Sequence, residues 1–491
     1  MIQFRGFMNK KIILSLIIIS LSPAFLYCQK ISLKEAIDIT LQKNEKIFQY
    51  KEKLSQKEFA EQGSWGNFLP SINLTASYTH LNQSMDINLN AIRDAMITIQ
   101  SGNSTDLANI SSILSGTGAL TAAQKLQVKN LAVSTLDGLL PQFVETFKKQ
   151  DYKTATIQGV QPLFLGGKLL AAKKYATAEK DAASIELTKI ENETVTETID
   201  NYLRVILLKE VVKLRQDVLN GIVEHQKRAQ KLFDEGVIPN YHILRANVAV
   251  ADAEKSLSED QSNYQLALLA LKNSLGAGEN DNIDVADSIS YHPISETLEA
   301  SVMSAMKNQP LLQMIEKKKI SAEQNYNISI SSFLPTVAAF GKYELYPEYL
   351  SSLEPRWAVG VQMNLSIFNG FKDHLNVQTA KHLEDEVMYI QADARKKVEL
   401  WVNKSFKEIE KSRTKYEKLN ATVAMAKENV RQNEKRFETG MGISLEVIDA
   451  HLTYEKVELD RYISLYEYYR AAADLYLASG EPLSILKIWN N

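Results

Sequence analysis

The sequence predicts a mixed fold of α-helices and transmembrane β-strands built as two tandem structural repeats, and three observations carry that prediction. The stretch RWAVGVQMNLSIF, Arg356–Phe368, is apolar at every second position. Trp357, Val359, Val361, Met363, Leu365 and Ile367 share one face of a strand, and Arg356, Ala358, Gly360, Gln362, Asn364 and Ser366 share the other. The chain also resembles itself: PLFLGGK at 162–168 lies against SIFNGFK at 366–372, KLFDEG against KRFETG, and SLG ending at Gly276 against ASG ending at Gly480, each pair 204 positions apart. Finally, a sustained heptad of Val402, Ile409, Tyr416, Val423, Val430 and Phe437 runs through one copy; Val205, Val212, Leu219 and Phe233 follow the same rule in the other, with Gln226 as the exception.

Taken in chain order, Arg5, Lys10 and Lys11 precede the apolar run Ile12–Leu21, which Pro23 ends, so 1–28 reads as a signal peptide. Its core falls short of the roughly 20 apolar residues that span a bilayer. At Cys28, the only cysteine, two readings compete: a lipid-modified first mature residue, or the last residue removed. Tyr27 and Phe25 stand where a lipoprotein signal has a small residue and Leu, which favours removal. Loss of this segment takes the formal charge from −3 to −6 and leaves no thiol. A mildly acidic chain of 491 residues, 45% hydrophobic, gives no sign of nucleic-acid binding.

The first repeat, 29–276, begins with a helix at about Leu33–Glu61, started by the Ser32/Glu35 capping box. A strand follows from Ser71, with Ile72, Leu74, Ala76 and Tyr78 on its apolar face. FLPSINL at 68–74 matches FLPTVAA at 333–339 with an offset of 265, so the first copy carries 61 extra residues, placed in an insertion at about 81–150. The return strand is Thr154–Leu165. Helices then run from near Gly166 and Gly370 to Gly236 and Gly440, 70 positions in each copy, or about 100 Å at 1.5 Å per residue. A polar linker, 277–293, joins the second repeat, 294–480, whose first helix is expected at about Ile294–Ser329; 481–491 form a C-terminal tail.

Heptads alone fit an ordinary antiparallel coiled coil. The strands argue further, because their apolar faces have no element left to cover them, and open sheet edges are not tolerated in hydrocarbon. Barrels need at least about 8 strands, so four per chain demand an oligomer. Trp65, Phe68, Tyr78, Tyr343, Tyr346 and Trp357 lie near strand ends, where an aromatic girdle sits.

The duplicated helix–hairpin–helix layout, the LFxGxK-like step out of each strand, and the F-x-x-G turns followed by HILRA and EVIDA resemble the TolC-type outer-membrane efflux proteins across nearly the whole mature chain. The resemblance implies a homotrimer with one 12-stranded β-barrel in outer-membrane lipid, continuing into a periplasmic α-helical barrel. It implies an exit duct of a tripartite efflux or type I secretion system, working with a periplasmic adaptor (membrane fusion) protein and an inner-membrane transporter. On that reading Trp357, Val359, Val361, Met363, Leu365 and Ile367 face lipid, and Gln362, Asn364 and Ser366 face the lumen. The insertion becomes an extracellular loop.

Glu446 and Asp449, three apart on one helix face beyond the Gly440 turn, could simply favour the helix dipole in solvent. The resemblance instead places them in an acidic ring at the periplasmic entrance, favouring cations. His242 and Arg245 occupy the matching positions of the first copy. Gly236, Val237, Ile238, Pro239, Gly440, Met441, Gly442 and Ile443 either pack their own turns or, as the resemblance implies, dock the adaptor. Phe437 and Gly442 stand where some members carry a Tyr and an Arg that lock the entrance, so closure is expected to rest on packing. Scattered histidines, with His374 and His382 eight apart, match no metal or catalytic motif; no enzyme activity and no cofactor are expected. The runner-up is a secreted or surface structural coiled-coil protein, and a third reading is the adaptor itself.

Overall fold

The computed structural model describes residues 29–278, 280–351 and 354–489; the signal segment and Cys28 lie outside the described residues. In chain order the elements are β1 (Gln29–Ile31), α1 (Leu33–Lys43), α2 (Glu45–Gly66), β2 (Ser71–His80), β3 (Met85–Asn88), α3 (Asn90–Leu114), α4 (Ala122–Leu139), β4 (Val144–Lys148), β5 (Asp151–Leu165) and α5 (Lys168–Asp234). There follow α6 (Tyr241–Ser274), β6 (Ile283–Val285), α7 (Leu298–Asn308), α8 (Pro310–Ile330), β7 (Thr336–Glu344), β8 (Trp357–Asn364), α9 (Lys372–Glu438), α10 (Ser444–Ala478) and α11 (Ile485–Trp489). The long helices α5 and α9 each have 67 residues. Two compact units divide the chain: one from 29–56, Asp181–Lys317 and 389–489, the other from Lys57–Lys180 and Lys318–Met388.

In the first unit, Ser32 caps α1 as its sequence predicts, accepting from the Glu35 amide while the Glu35 carboxylate accepts from Ser32 N at 2.8 Å. The single opening helix expected over Leu33–Glu61 is broken at Asn44, and the one expected over Ile294–Ser329 is broken at Gln309. The interruption is tertiary in origin. The Asn44 side-chain amide donates to Ser274 O at 2.9 Å, and that of Gln309 donates to Ala478 O at 3.1 Å, so each break satisfies a carbonyl at the end of α6 or α10. Gly276 and Gly480, at φ +66 and +79, close those two helix ends. A Cβ on either would lie 2.5 Å from a carbonyl oxygen, of Lys43 or of Asn308.

Within the expected linker, residues 283–287 are pinned rather than loose: β6 pairs in parallel with β1, and Asp287 accepts from Leu33 N, the Tyr202 hydroxyl and Trp489 Nε1, all at 2.9 Å. Ile485 and Ile488 of α11 are buried, so the C-terminal residues through Trp489 belong to this core. Of the α9 heptad, Val402, Ile409 and Phe437 are buried and Tyr416, Val423 and Val430 half-buried. In α5 the buried line drifts to Leu214, Val218, Ile222, His225 and Ala229, which leaves Phe233 exposed; a 3.6-residue helix slips against a strict seven-residue repeat.

The second unit contains an antiparallel sheet in the order β2-β5-β7-β8. Its register aligns Leu74, Ile157, Tyr343 and Trp357 across all four strands, and Ile72, Gly159, Gly341 and Val359 in the next rung. One face is therefore mostly apolar, with Ile72 74% and Val359 73% exposed; Lys153 and Gln161 of β5 and the His80/Asp151 pair at its end are its polar positions. The other face carries Ser71, Asn73, Thr75, Ser77, Thr154, Thr156, Gln158, Gln362 and Asn364, with Phe340 lying over Gly360. Pro162 sits in an inner strand where β5 bulges, beyond the last β2 pairing at Val160, so its missing N–H breaks no rung to β2.

Strand β8 stops at Asn364, so Leu365, Ser366 and Ile367, expected on its two faces, lie beyond it. Its partner β7 starts at Thr336, opposite Asn364, and Pro335 before it has no N–H to extend the ladder. The insertion at 81–150 is ordered: β3 pairs with β4, and α3 and α4 form a hairpin. Arg93 closes its base, donating to Asp137 Oδ1 at 2.7 Å and to Leu140 O at 3.0 Å.

Candidate functional site: a helical tip

The two F-x-x-G turns lie in the first unit and are built alike. After α5, Gly236 N donates to Phe233 O and Val237 N to Leu232 O, both at 2.8 Å; after α9, Gly440 N donates to Phe437 O at 3.1 Å and Met441 N to Arg436 O at 2.8 Å. These are Schellman closures, and they need the left-handed backbone that Gly236 (φ +75) and Gly440 (φ +72) supply. Pro239 and Asn240 then lead into α6, with Asn240 at its N-cap, while Ile443 precedes α10.

Inside the turns, Phe437 is buried with Ala229 and Val447, and Leu232 and Ile238 pack against that group. Ile238 thus serves the turn's own core, whereas Val237 and Met441 are 58% and 71% exposed. Gly442 is crowded, since a Cβ there would lie 3.1 Å from Phe437 N.

Sequence reasoning missed two buried histidines beside Phe437. His225 Nε2 lies 2.7 Å from Ser444 Oγ, and its ring is tilted against Phe437 at 4.6 Å between centroids. Burial pushes its pKa down to about 4, and the nearby His451, Arg228 and His242 push the same way. His451 contacts Glu434 Oε1 at 3.0 Å and lies over Gly221, where a Cβ would clash with its ring. Its pKa is lowered by burial, with Glu434 pulling in the opposite direction. The buried spacing 218, 222, 225, 229 on α5 was the signal that places His225 inside.

Glu446 and Asp449 share the start of α10 but have different surroundings. The Glu446 carboxylate lies 3.4 Å from Arg436 and accepts from Ile443 N at 3.4 Å, so it is turned toward its own turn. Asp449 is exposed. Their counterparts on α6 are the buried His242 and the exposed Arg245. Farther along the helices, a cavity of about 250 Å³ is lined by Arg215, Arg245, Asp252 and Glu455, with Leu452 and Val248 among its apolar walls. Arg215 binds Asp260 at 2.8 Å and makes a short contact with Glu455. Among the described residues no helix is long and apolar enough to cross a membrane, and no His, Cys, Asp or Glu group is placed to hold a metal ion.

Residues 119–277 and 302–481 match the outer membrane efflux protein family, more than half of the chain. The chain belongs to that family. The outer membrane protein VceC of Vibrio cholerae shares its fold at 15% identity and a TM-score of 0.70, over 91% of this chain and 96% of that one. The CmeC outer membrane channel of Campylobacter jejuni does so at 14% identity and 0.69, over 91% and 85% of the two chains. The open-state MtrE outer membrane channel of Neisseria gonorrhoeae is similar at 15% identity and 0.68, over 92% and 89%. No curated protein matches the chain. The expected resemblance holds: this is an outer-membrane protein of the efflux-channel family, which, like these neighbours, is made of channels rather than enzymes.

Proposed function

We propose that three copies of this chain form one exit duct: a 12-stranded β-barrel in the outer membrane that continues as a periplasmic α-helical barrel. The single observation that carries this reading is the registered, mostly apolar face of the four-stranded sheet, bounded by β2 and β8 as its edges. A sheet with open edges is not stable in hydrocarbon, so β2 of one copy pairs with β8 of the next. Trp357, Val359, Val361 and Met363 then face lipid, and Gln362 and Asn364 face the aqueous outlet.

The two repeats are supported by paired details: the equal long helices, the Asn44 and Gln309 breaks, and the Gly276 and Gly480 closures. The duct is passive and serves a tripartite efflux or type I secretion system. An inner-membrane transporter and a periplasmic adaptor protein deliver the cargo, with Val237 and Met441 at the exposed docking tips beside Gly236, Pro239, Gly440, Gly442 and Ile443. Three Asp449 side chains, with Glu446 beside them, make the entrance selective for cations. Phe437 closes each tip by packing.

Purified protein should need detergent, cross-link as a trimer, and conduct in a planar bilayer. A monodisperse, detergent-free monomer would overturn the reading. Glu446→Gln with Asp449→Asn should lower cation preference; unchanged ion selectivity removes the role given to those carboxylates.

A further inference from the structure

The hairpin of α3 and α4 has its amphipathicity turned inside out. At 100° per residue, Arg93, Ile97, Ser101 and Thr105, the buried positions of α3, occupy one side of the helix. Ile92, Met96, Ile99, Leu107, Ile110 and Leu114 lie on the opposite side, and each is about half exposed or more. Helix α4 has no buried residue at all. A two-helix hairpin whose inner seam is mostly small and polar, and whose outer stripe is aliphatic, leaves its best packing surface unused.

We propose that this α3 stripe packs against the same stripe of neighbouring copies, clasping the subunits beyond the barrel. The inference rests on the oligomeric channel reading and names a contact which that reading does not require. Three features select a second copy as the occupant. Only residues 81–89 separate α3 from β2, the edge strand through which copies join, so the hairpin is tethered beside the next copy. No charged residue occurs from Leu107 to Gln124, so identical surfaces can meet there without like-charge repulsion; Asp106 lies at the margin of the stripe. The area also suffices. At roughly 60–120 Å² for each buried aliphatic side chain, six remove on the order of 400–700 Å² per copy, close to the ~800 Å² that a stable interface takes from each partner.

Asn103 falls in the middle of the stripe and is exposed. A lone Asn among apolar positions fixes register and copy number when like helices pack, which suits a contact among identical helices better than a lipid surface. Helix α3 also lies outside the segments that match the family, so this clasp belongs to this chain's own elaboration.

Cysteine placement in the full chain tests it. Ile99→Cys and Ile110→Cys alter exposed positions only. Thr98→Cys, exposed about a third of a turn from the stripe, is the control, and the parent chain with Cys28 is the blank. Under oxidation the two stripe variants should lose most of their monomer to disulfide-linked dimers, while Thr98→Cys should not. Light scattering read on the same samples separates the hypotheses. An intact oligomer with no cross-link at either stripe position overturns the clasp alone, whereas a monomer overturns the channel reading and the clasp with it. Labelling of the stripe by a lipid-borne photoprobe, or cross-linking in cells to another polypeptide, also overturns the clasp.

Discussion

Replacing His225 with glutamine separates the cost of acidifying the helical tip from the cost of unpacking it. His225 is buried between α5 and α10, against the Ser444 hydroxyl and the Phe437 ring, with His451, Arg228 and His242 as the positive or protonatable groups that face it. Its pKa falls from 6.5 to about 4, which corresponds to roughly 3 kcal/mol between the protonation states. The folded value lies below the unfolded one, so the unfolded tip binds the extra proton between them. Stability is therefore whole above about pH 6.5 and declines as the pH drops toward 4. Hydrogen exchange of the α5 and α10 amides around His225 and Ser444, followed from neutral pH to 4, reads this directly. The parent should lose on the order of 3 kcal/mol of local protection. His225→Gln can still bond to Ser444 and should lose less, with the remainder traced to His451. Equal pH slopes in the two proteins, or a tip that gains protection on acidification, would refute the assignment of the proton to His225.

Two further outcomes follow from setting corresponding positions of the two halves side by side. Phe437→Ala should cost about 3 kcal/mol or more of local stability by opening the tip core, while Phe233→Ala, its exposed counterpart, should cost little; denaturant melts followed by tip proteolysis compare them. Gly276→Ala and Gly480→Ala should damage the fold alike, because each combines a positive φ with a Cβ 2.5 Å from a backbone oxygen. Thermal melts showing either variant unperturbed would mean that these helix ends can relax.

Much of this architecture was legible because it is governed by local rules. Alternation placed β2, β7 and β8 and, less cleanly, β5; the glycines placed both ends of α5 and α9, and the Ser32/Glu35 pair placed the start of α1. The failures share a different physics, since each was decided by a partner distant in sequence. Asn44 interrupts a pattern that would otherwise continue, because a carbonyl 230 residues away needs a donor. Local signs existed at both breaks: Asn44 is a favoured start residue and accepts from Lys46 N at 2.9 Å, and Pro310 follows Gln309. Strand β8 ends where β7 lacks a pairing residue, so its own alternation through Ile367 carried no information about its end. Phe233 looked equivalent to Phe437 by heptad count, and the drift of α5 turned it outward. At the tip, the paired carboxylates were visible in the sequence while His225 was not, because a histidine's role depends on what surrounds it.

The comparison of the two halves therefore separates constraint from function within one chain. At the joints, the carbonyl-seeking amides of Asn44 and Gln309 and the crowded glycines 276 and 480 repeat the same solution. Backbone groups impose those solutions whatever the side chains nearby do. At the tips only the glycine turns repeat. Beyond them, Phe437 is buried where Phe233 is exposed, and Glu446 and Asp449 stand where the other half has His242 and Arg245. Geometry common to both turns cannot require that divergence, so the two tips have different surroundings to satisfy. The ring of three subunits proposed above would supply such a difference, because each first-half tip would then meet a second-half tip on either side, within its own chain and across to the next. In that proposed ring, the exposed Arg245 and Asp449 would be the residues through which unlike tips tell those neighbours apart.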